Sequence, residues 1–211
     1  ARAHMVADIV QLDATIDKFL DYARPDHVTL TPINLHAVVS SCVYAVQDHR
    51  ELQITMNVPE DLNVLADEVE LARVISNLLE NARRYGKTEE TGITSVDIVA
   101  KSRERWVLVK LRDHGAGVPP EQLSNLTKPF FRGDSARTAA AGAGLGLSIV
   151  DKTVQRMGGI FALANSSTGG LVAHLQLQRA TDLPDGVDPK QRLQRPSVKR
   201  QLPRRRAEDK L

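Results

Sequence analysis

Asn77 and Asn81 lie four residues apart in the stretch NLLENARRYG (77–86), inside a segment otherwise rich in good helix formers. Asn is a poor helix-interior residue, because its short amide competes with the backbone for hydrogen bonds. At spacing i, i+4 the two amides project from one helix face. Their oxygens are hard neutral ligands, suited to a magnesium ion that keeps several waters and is shared with phosphates. Taken alone, the pair also fits a structural role, a buried Asn tying a loop to the helix. Arg84 and Tyr85 add a phosphate-seeking cation and a ring able to stack on a base.

Three further stretches carry chemistry. In DHGAGVP (113–119) an aspartate at a strand end precedes Gly115 and Gly117, which tolerate positive φ. The Asp113 carboxylate can accept from an exocyclic amine such as adenine N6, and it disfavours a base with a carbonyl there. In KPFFRGDSART (128–138), two aromatics sit amid Lys128, Arg132 and Arg137, so the Phe pair is expected to pin the loop while the cations reach outward. GAGLGLSIV (142–150) runs straight into a helix, and glycines before a helix N-terminus let backbone N–H groups approach phosphate. It is not a P-loop, lacking Gly-Lys-Ser/Thr, nor a dinucleotide fingerprint, since an Ala-rich loop precedes it.

Elements to position these residues are legible nearby. Asn34 caps a helix to about Gln47 with Val38, Val39, Cys42, Val43 and Val46 on its apolar face. LQITMNV (52–58) alternates like a strand and stops at Pro59. Asp67 caps the helix that holds Asn77 and Asn81, with Glu70 placed to complete a capping box, and that helix runs to about Tyr85. SVDIVAK (95–101) and WVLVKLRD (106–113) read as paired strands. Residues 114–143 are too irregular for a core element. A helix over about 145–157 ends at Gly158-Gly159, and strands near 160–165 and 171–178 follow. This order lacks regular βαβ alternation, so an α/β sandwich with helices on one sheet face fits better than a doubly wound sheet.

Upstream, Met5, Ile9, Leu12, Ile16, Phe19 and Ala23 form a heptad seam that stops before Pro25. It predicts a bundle or dimerisation helix. Downstream, residues 180–211 combine Pro, Gln, Arg and Lys and are expected to be disordered. The net charge is +2 over 211 residues, so bulk charge gives no argument for nucleic acid. It is uneven, with ten Lys/Arg against five Asp/Glu from Arg179 onward and about −3 for residues 1–178. With 42% hydrophobic residues the chain supports one ordinary core, and its single cysteine, Cys42, excludes an intrachain disulfide framework and a Cys-rich zinc site. No apolar run approaches the roughly 18–20 residues of a membrane span. The opening ARAHM reads as a cut rather than a natural beginning.

The array NLLENARRYG, DHGAGVP, KPFFRGDSART, GAGLGLSIV resembles the N, G1, F and G2 boxes of the histidine-kinase ATP-binding domain. FFRGDSART with GAGLGLSIV resembles the osmosensor kinase EnvZ subgroup in particular. The resemblance covers about residues 6–178. It implies an α+β, Bergerat-type sandwich with a mixed sheet, helices on one face and one preceding bundle helix. Residues 25–178 would be the catalytic ATP-binding domain, 1–24 the second helix of a dimerisation and phosphotransfer hairpin, and 179–211 a basic tail.

Carried over box by box, the resemblance implies ATP and magnesium as cofactors. Asn81 would ligate the metal, with Asn77 in support. Arg84 would meet phosphate, Tyr85 the adenine side, and Asp113 adenine N6 beside Gly115, Gly117 and Val118. Residues 118–143 would be a mobile lid, with Phe131, Arg132 and Arg137 near the nucleotide. Gly142, Gly144, Leu145, Gly146 and Leu147 would hinge the lid and admit the triphosphate. Implied partners are an H-box hairpin, a cognate response regulator and a second copy joined through residues 5–23, without nucleic-acid or membrane contact by these residues. The implied setting is the cytoplasmic side of a protein anchored in the bacterial inner membrane.

Two departures sharpen this. The family's phosphoacceptor His is followed by Asp/Glu, Leu, Arg, Thr/Ser and Pro, and no such string is present; His4 precedes MVAD. ATPases of the same fold carry a glutamate four residues before the magnesium Asn as general base for water. Asn77 stands at that position, and Glu80 lies about 100° round the helix from Asn81. That favours a kinase over a hydrolase, with a histidine outside this chain as acceptor. A non-catalytic, nucleotide-responsive interaction module is the alternative.

Overall fold

The computed structural model describes residues 16–20, 22–23, 27–88, 91–131 and 144–180. Eleven elements follow in order: β1 (Thr31–Asn34), α1 (Leu35–Ala45), β2 (Leu52–Asn57), β3 (Asn63–Ala66), α2 (Glu68–Tyr85), β4 (Thr94–Arg103), β5 (Trp106–Asp113), α3 (Pro120–Leu123), α4 (Gly146–Arg156), β6 (Ile160–Asn165) and β7 (Leu171–Gln178). Residues 16–20 and 22 are helical, consistent with the end of the heptad helix; its earlier residues lie outside those described.

Both expected caps are made. Asn34 accepts from Ala37 N–H at 2.8 Å, and Asp67 Oδ1 accepts from Glu70 N–H at 3.2 Å. Each such cap satisfies an otherwise orphan helix donor and stabilises by about 1 kcal/mol. Asp67 also accepts from Thr29 N–H through Oδ2 at 3.0 Å, tying the entry segment to α2. The Glu70 carboxylate, expected to face back along the capping box, instead takes Arg73 at 2.8 Å and Arg156 at 3.3 Å. It thereby joins α2 to α4.

Five strands form a mixed sheet in the order β2-β4-β5-β7-β6. Only the β2–β4 pair is parallel; the other three pairs are antiparallel. A parallel neighbour needs a crossover, and here the crossover contains α2. The period-2 alternation sends Val96, Ile98 and Ala100 of β4, Val107, Val109 and Leu111 of β5, and Ala173, Leu175 and Leu177 of β7 to one face. Helices α1, α2 and α4 cover it with Val39, Leu71, Ile75, Leu79, Val150 and Val154, all fully buried. Leu108 and Ile160 point to the other, open face.

Three local expectations are corrected. Strands β1 and β3 form a separate two-stranded antiparallel sheet that the sequence reading missed; β1 is short and holds Pro32, which hides a strand signal. The loop after β5 contains the one-turn helix α3, started by Pro119-Pro120. Helix α1 ends at Ala45, two residues short of the expected Gln47.

Candidate functional site

The parity of β5 delivers the first functional group. Val107, Val109 and Leu111 face the core, so Asp113, two residues on, faces it as well. Its Oδ1 accepts from Gly115 N–H at 3.0 Å and from Leu171 N–H at 3.1 Å. Oδ2 has no partner among the described residues. Burial pushes the carboxyl above its ordinary range, opposed by the Gly115 and Leu171 hydrogen bonds and by the nearby His114 and Arg112.

Helix α2 delivers the second group. Leu71, Val74, Ile75, Leu78, Leu79 and Ala82 bury one stripe, and Asn77 and Asn81 sit at its half-buried edge. Asn77 Nδ2 donates to the Arg73 carbonyl at 3.0 Å, which fixes the amide and leaves Oδ1 toward α4. A Cβ placed on Gly146 would lie 3.6 Å from that oxygen. Asn81 and Asp113 together line a small open cleft whose other walls are apolar, with Leu78, Leu111, Leu147 and Leu171 among them. An apolar lining interrupted by one carboxylate and one amide is chemically suited to an aromatic base bearing an amine.

Glycines let these elements meet. A Cβ on Gly86, the C-cap of α2, would lie 2.7 Å from Asp113 Cβ, and one on Gly115 would lie 2.8 Å from Gly86 Cα. The end of α2 therefore rests directly on the loop after β5. Gly170, at φ +87°, brings the start of β7 so near that a Cβ there would overlap the Asp113 carbonyl oxygen at 1.8 Å.

Helix α4 presents its N-terminus beside Asn77. Among the described residues no side chain caps it and no acidic residue occupies its first turn, an arrangement suited to an anion at its first N–H groups. Leu145, 1% exposed, anchors the turn, and Ser148 Oγ donates to its carbonyl at 2.8 Å. Gly144 has φ +68°, and its carbonyl accepts from Phe130 N–H at 3.0 Å. Phe130 itself is 60% exposed at φ +63°, so it does not pin the loop to the core as expected; the backbone bond to Gly144 does that. Phe131 is half-buried.

Glu80 is held away from this cleft. Arg83 donates to it at 2.9 Å and Arg84 donates through Nε, on the flank of α2. Burial alone would raise its pKa, but these bonds bring it from 4.5 to about 2. A carboxylate so acidic and so engaged is a poor base for water.

The structure thus brings Asn81, Asp113 and Leu147 to one cleft, with Asn77 facing Gly146 and Gly115 packed on Gly86, and with Gly144 and Leu145 leading into α4. Tyr85, 40% exposed, ends α2 beside it, with Arg84 turned to Glu80. Gly117, at φ +74°, and Val118 lie in the loop after β5. Arg132, Arg137 and Gly142 lie outside the described residues. Sequence reading missed Gly86, Gly170 and Asn165. Gly86 was signalled by its place just past the helix; the other two had no local signal.

Comparison with known proteins places the chain in a family. Residues 66–181 match the model of the family described as histidine kinase-, DNA gyrase B- and HSP90-like ATPase. The chain belongs to that family, as an ATP-binding catalytic domain of the sensor histidine kinase type. It is 30% identical over 183 residues, 85% of its length, to the signal transduction histidine-protein kinase BaeS of Escherichia coli, and covers 37% of that protein. The chain therefore spans little more than a third of this relative. Among solved structures, full-length ShkA in complex with AMPPNP superposes with a TM-score of 0.70 at 22% identity, covering 85% of this chain and 39% of that one. The histidine kinase ThkA in complex with the response regulator TrrA gives 0.66 at 22% identity, over 82% of this chain and 49% of that one. At such identity these two establish the fold.

Proposed function

We propose that this chain binds magnesium-ATP in the Asn81–Asp113 cleft and donates the γ-phosphoryl group to a histidine outside the chain, for relay to a response regulator. The observation that carries the reading is the pairing of Asn81 and Asp113 in one cleft with, among the described residues, no uncommitted carboxylate on α2 at the position of a general base. Asn77 stands where a hydrolase of this fold keeps its glutamate, and Glu80 is committed to Arg83 and Arg84.

Asn81, supported by Asn77, would hold a magnesium ion, whose charge would offset that of the phosphates. Asp113 Oδ2 accepts from the adenine amine while Oδ1 keeps its backbone bonds. The α4 N-terminus receives phosphate oxygens through backbone N–H groups. The protein's contribution to phosphoryl transfer is positioning and charge stabilisation, which these groups supply without a covalent intermediate. Arg132 and Arg137 would add charge near the phosphates.

The finer placement in the EnvZ subgroup rests on FFRGDSART followed by GAGLGLSIV, and the need for an acceptor from elsewhere rests on the missing H-box string in this sequence. Residues 25–178 form the catalytic unit in this reading. Residues 1–24 join a bundle with a second copy, residues 179–211 are an appended tail, and the setting is cytoplasmic beneath a membrane anchor. Among the described residues no helix is long and apolar enough to cross a membrane.

The test is incubation with γ-labelled ATP and a separately supplied hairpin domain carrying an H box. Label on the hairpin histidine is the expected result. Tight ATP binding without transfer to several such hairpins would instead support a nucleotide-responsive interaction module. Asn81→Asp should weaken magnesium-ATP binding with an unchanged melting temperature; unchanged affinity would remove the metal role from Asn81.

A further inference from the structure

Asn165, the last residue of β6, belongs to none of the nucleotide motifs. Its Oδ1 accepts from Val118 N–H at 3.0 Å, and its Nδ2 donates to the Val118 carbonyl at 2.6 Å. One side-chain amide thus meets both backbone polar groups of one residue, as an adjacent strand would. Gly117 is fitted to this arrangement. At φ +74° it needs glycine, and a Cβ there would lie 2.8 Å from Asn165 Oδ1.

The contact bears on Asp113 through a single rung of the sheet. Asn165 is the register partner of Leu171, and Leu171 N–H is one of the two donors to Asp113 Oδ1. The β6–β7 hairpin therefore holds the carboxylate with one residue and the loop that follows it with the other. That loop is fixed at its start by Asp113, by His114 N–H to the Ser95 carbonyl at 3.2 Å, and by Gly115 against Gly86. Beyond Gly115, the hold on residues 116–118 among the described residues is Asn165. Two glycines in so short a stretch leave it free to relax once that hold is lost.

We propose that Asn165 is a positioning residue for base recognition. By holding the Val118 peptide it fixes the course of the loop that leaves Asp113, and so the preference for a purine carrying an amine over one carrying a carbonyl. This rests on the nucleotide reading above. It adds a determinant that acts through Val118 rather than by touching the nucleotide.

The inference separates two substitutions that a general packing role would rank the other way. Asn165→Asp keeps the shape and the acceptor, but it replaces the donor with a carboxylate oxygen facing the Val118 carbonyl. Asn165→Ala merely removes both bonds. At pH 8 the isosteric variant is therefore the worse of the two. As the pH falls and the new carboxyl protonates, its O–H can donate to the Val118 carbonyl and restore the pair.

The experiment measures binding of ATP, GTP and inorganic tripolyphosphate to the full chain and both variants by calorimetry, across pH, with melting temperatures in parallel. For Asn165→Ala, loss of one to two hydrogen bonds predicts a fall in ATP affinity of about five- to tenfold, with GTP and tripolyphosphate within about twofold. Asn165→Asp should lose more at pH 8 and recover toward the parent as the pH is lowered, while Asn165→Ala shows no such recovery. Equal losses for all three ligands, or Asn165→Asp binding ATP better than Asn165→Ala at pH 8, would overturn the proposal. If the parent itself binds ATP no better than tripolyphosphate, the nucleotide reading fails and takes this role with it. If the parent prefers ATP and Asn165→Ala keeps that preference, the role of Asn165 alone falls.

Discussion

Asp113 accepts the Leu171 amide proton at 3.1 Å, so a residue at the end of one strand is oriented by the first residue of its neighbour in the sheet. Because the same Oδ1 also takes Gly115 N–H, the carboxylate is turned with Oδ2 toward the cleft lined by Asn81. The orientation of this carboxylate is thus a property of the sheet.

Asp113 has opposite effects on stability and on binding as pH changes. Its folded pKa is raised, so the native state holds the proton more tightly than the unfolded chain. Stability from this group is therefore greatest at low pH and falls as pH rises through the raised pKa. ATP affinity, which needs the ionised acceptor, should move the other way. In Asp113→Asn the amide can donate where the carboxylate accepted, so ATP should weaken by about tenfold, the scale of one charge-assisted hydrogen bond, while GTP gains relative to it. Competition binding across pH checks both signs; parallel losses of the two nucleotides with a lowered melting temperature would point to misfolding instead.

Glu80 behaves conventionally. Its folded pKa is depressed to about 2, so its contribution is complete above its ordinary 4.5 and is lost as pH falls from there through about 2. Glu80→Gln should flatten the acid limb of a stability-against-pH curve in that window. It should leave any slow ATP hydrolysis unchanged, because the parent carboxylate is already committed to arginines. A tenfold drop in hydrolysis would restore Glu80 as a candidate base.

Glu70 ties α2 to α4 from a buried position, its side chain 11% exposed against 8% for Arg156. Removing one member of a buried ion pair leaves the other charge uncompensated, at a cost of about 3 kcal/mol. Glu70→Ala should therefore lower the denaturation midpoint without changing which nucleotide is preferred. Urea unfolding and competition binding on the same sample provide the check. A loss below about 0.5 kcal/mol would class the contact with exposed surface pairs.

Gly170→Ala should be more damaging than its loop position suggests. The new methyl would overlap the Asp113 carbonyl, and φ +87° is itself unfavourable for alanine. Overpacking and strain together cost about 2–4 kcal/mol. Nucleotide affinity should fall with stability, because the displaced backbone is that of Asp113. Gly92→Ala is a control, with φ +65° but open space around the added atom, and it should lose stability while retaining affinity.

What was legible in the sequence is what local chemistry announces. Asn34 and Asp67 signalled helix starts because a cap is a short-range bond, and the structure makes both. Strand alternation placed β4, β5 and β7, and the box array paired Asn81 with Asp113, 32 positions apart, which line one cleft. Asn165 and Gly170 gave no such signal, because their partners, Val118 and Asp113, are long-range in sequence. The exposure of Phe130 escaped for a related reason. An adjacent aromatic pair suggests a core anchor, and only the backbone bond from Phe130 to Gly144 reveals what does the fastening.

That bond has a further consequence. Phe130 N–H and the Gly144 carbonyl meet at 3.0 Å, so the chain leaves and returns through one point on the surface. The scaffold therefore already holds together the two ends of any connection between these residues. The closure entropy of such a connection grows only logarithmically with length, by about 0.6 kcal/mol for each doubling. A change of length between Phe130 and Gly144 is therefore cheap to the scaffold, which holds Asp113 through Gly115 and Leu171 instead.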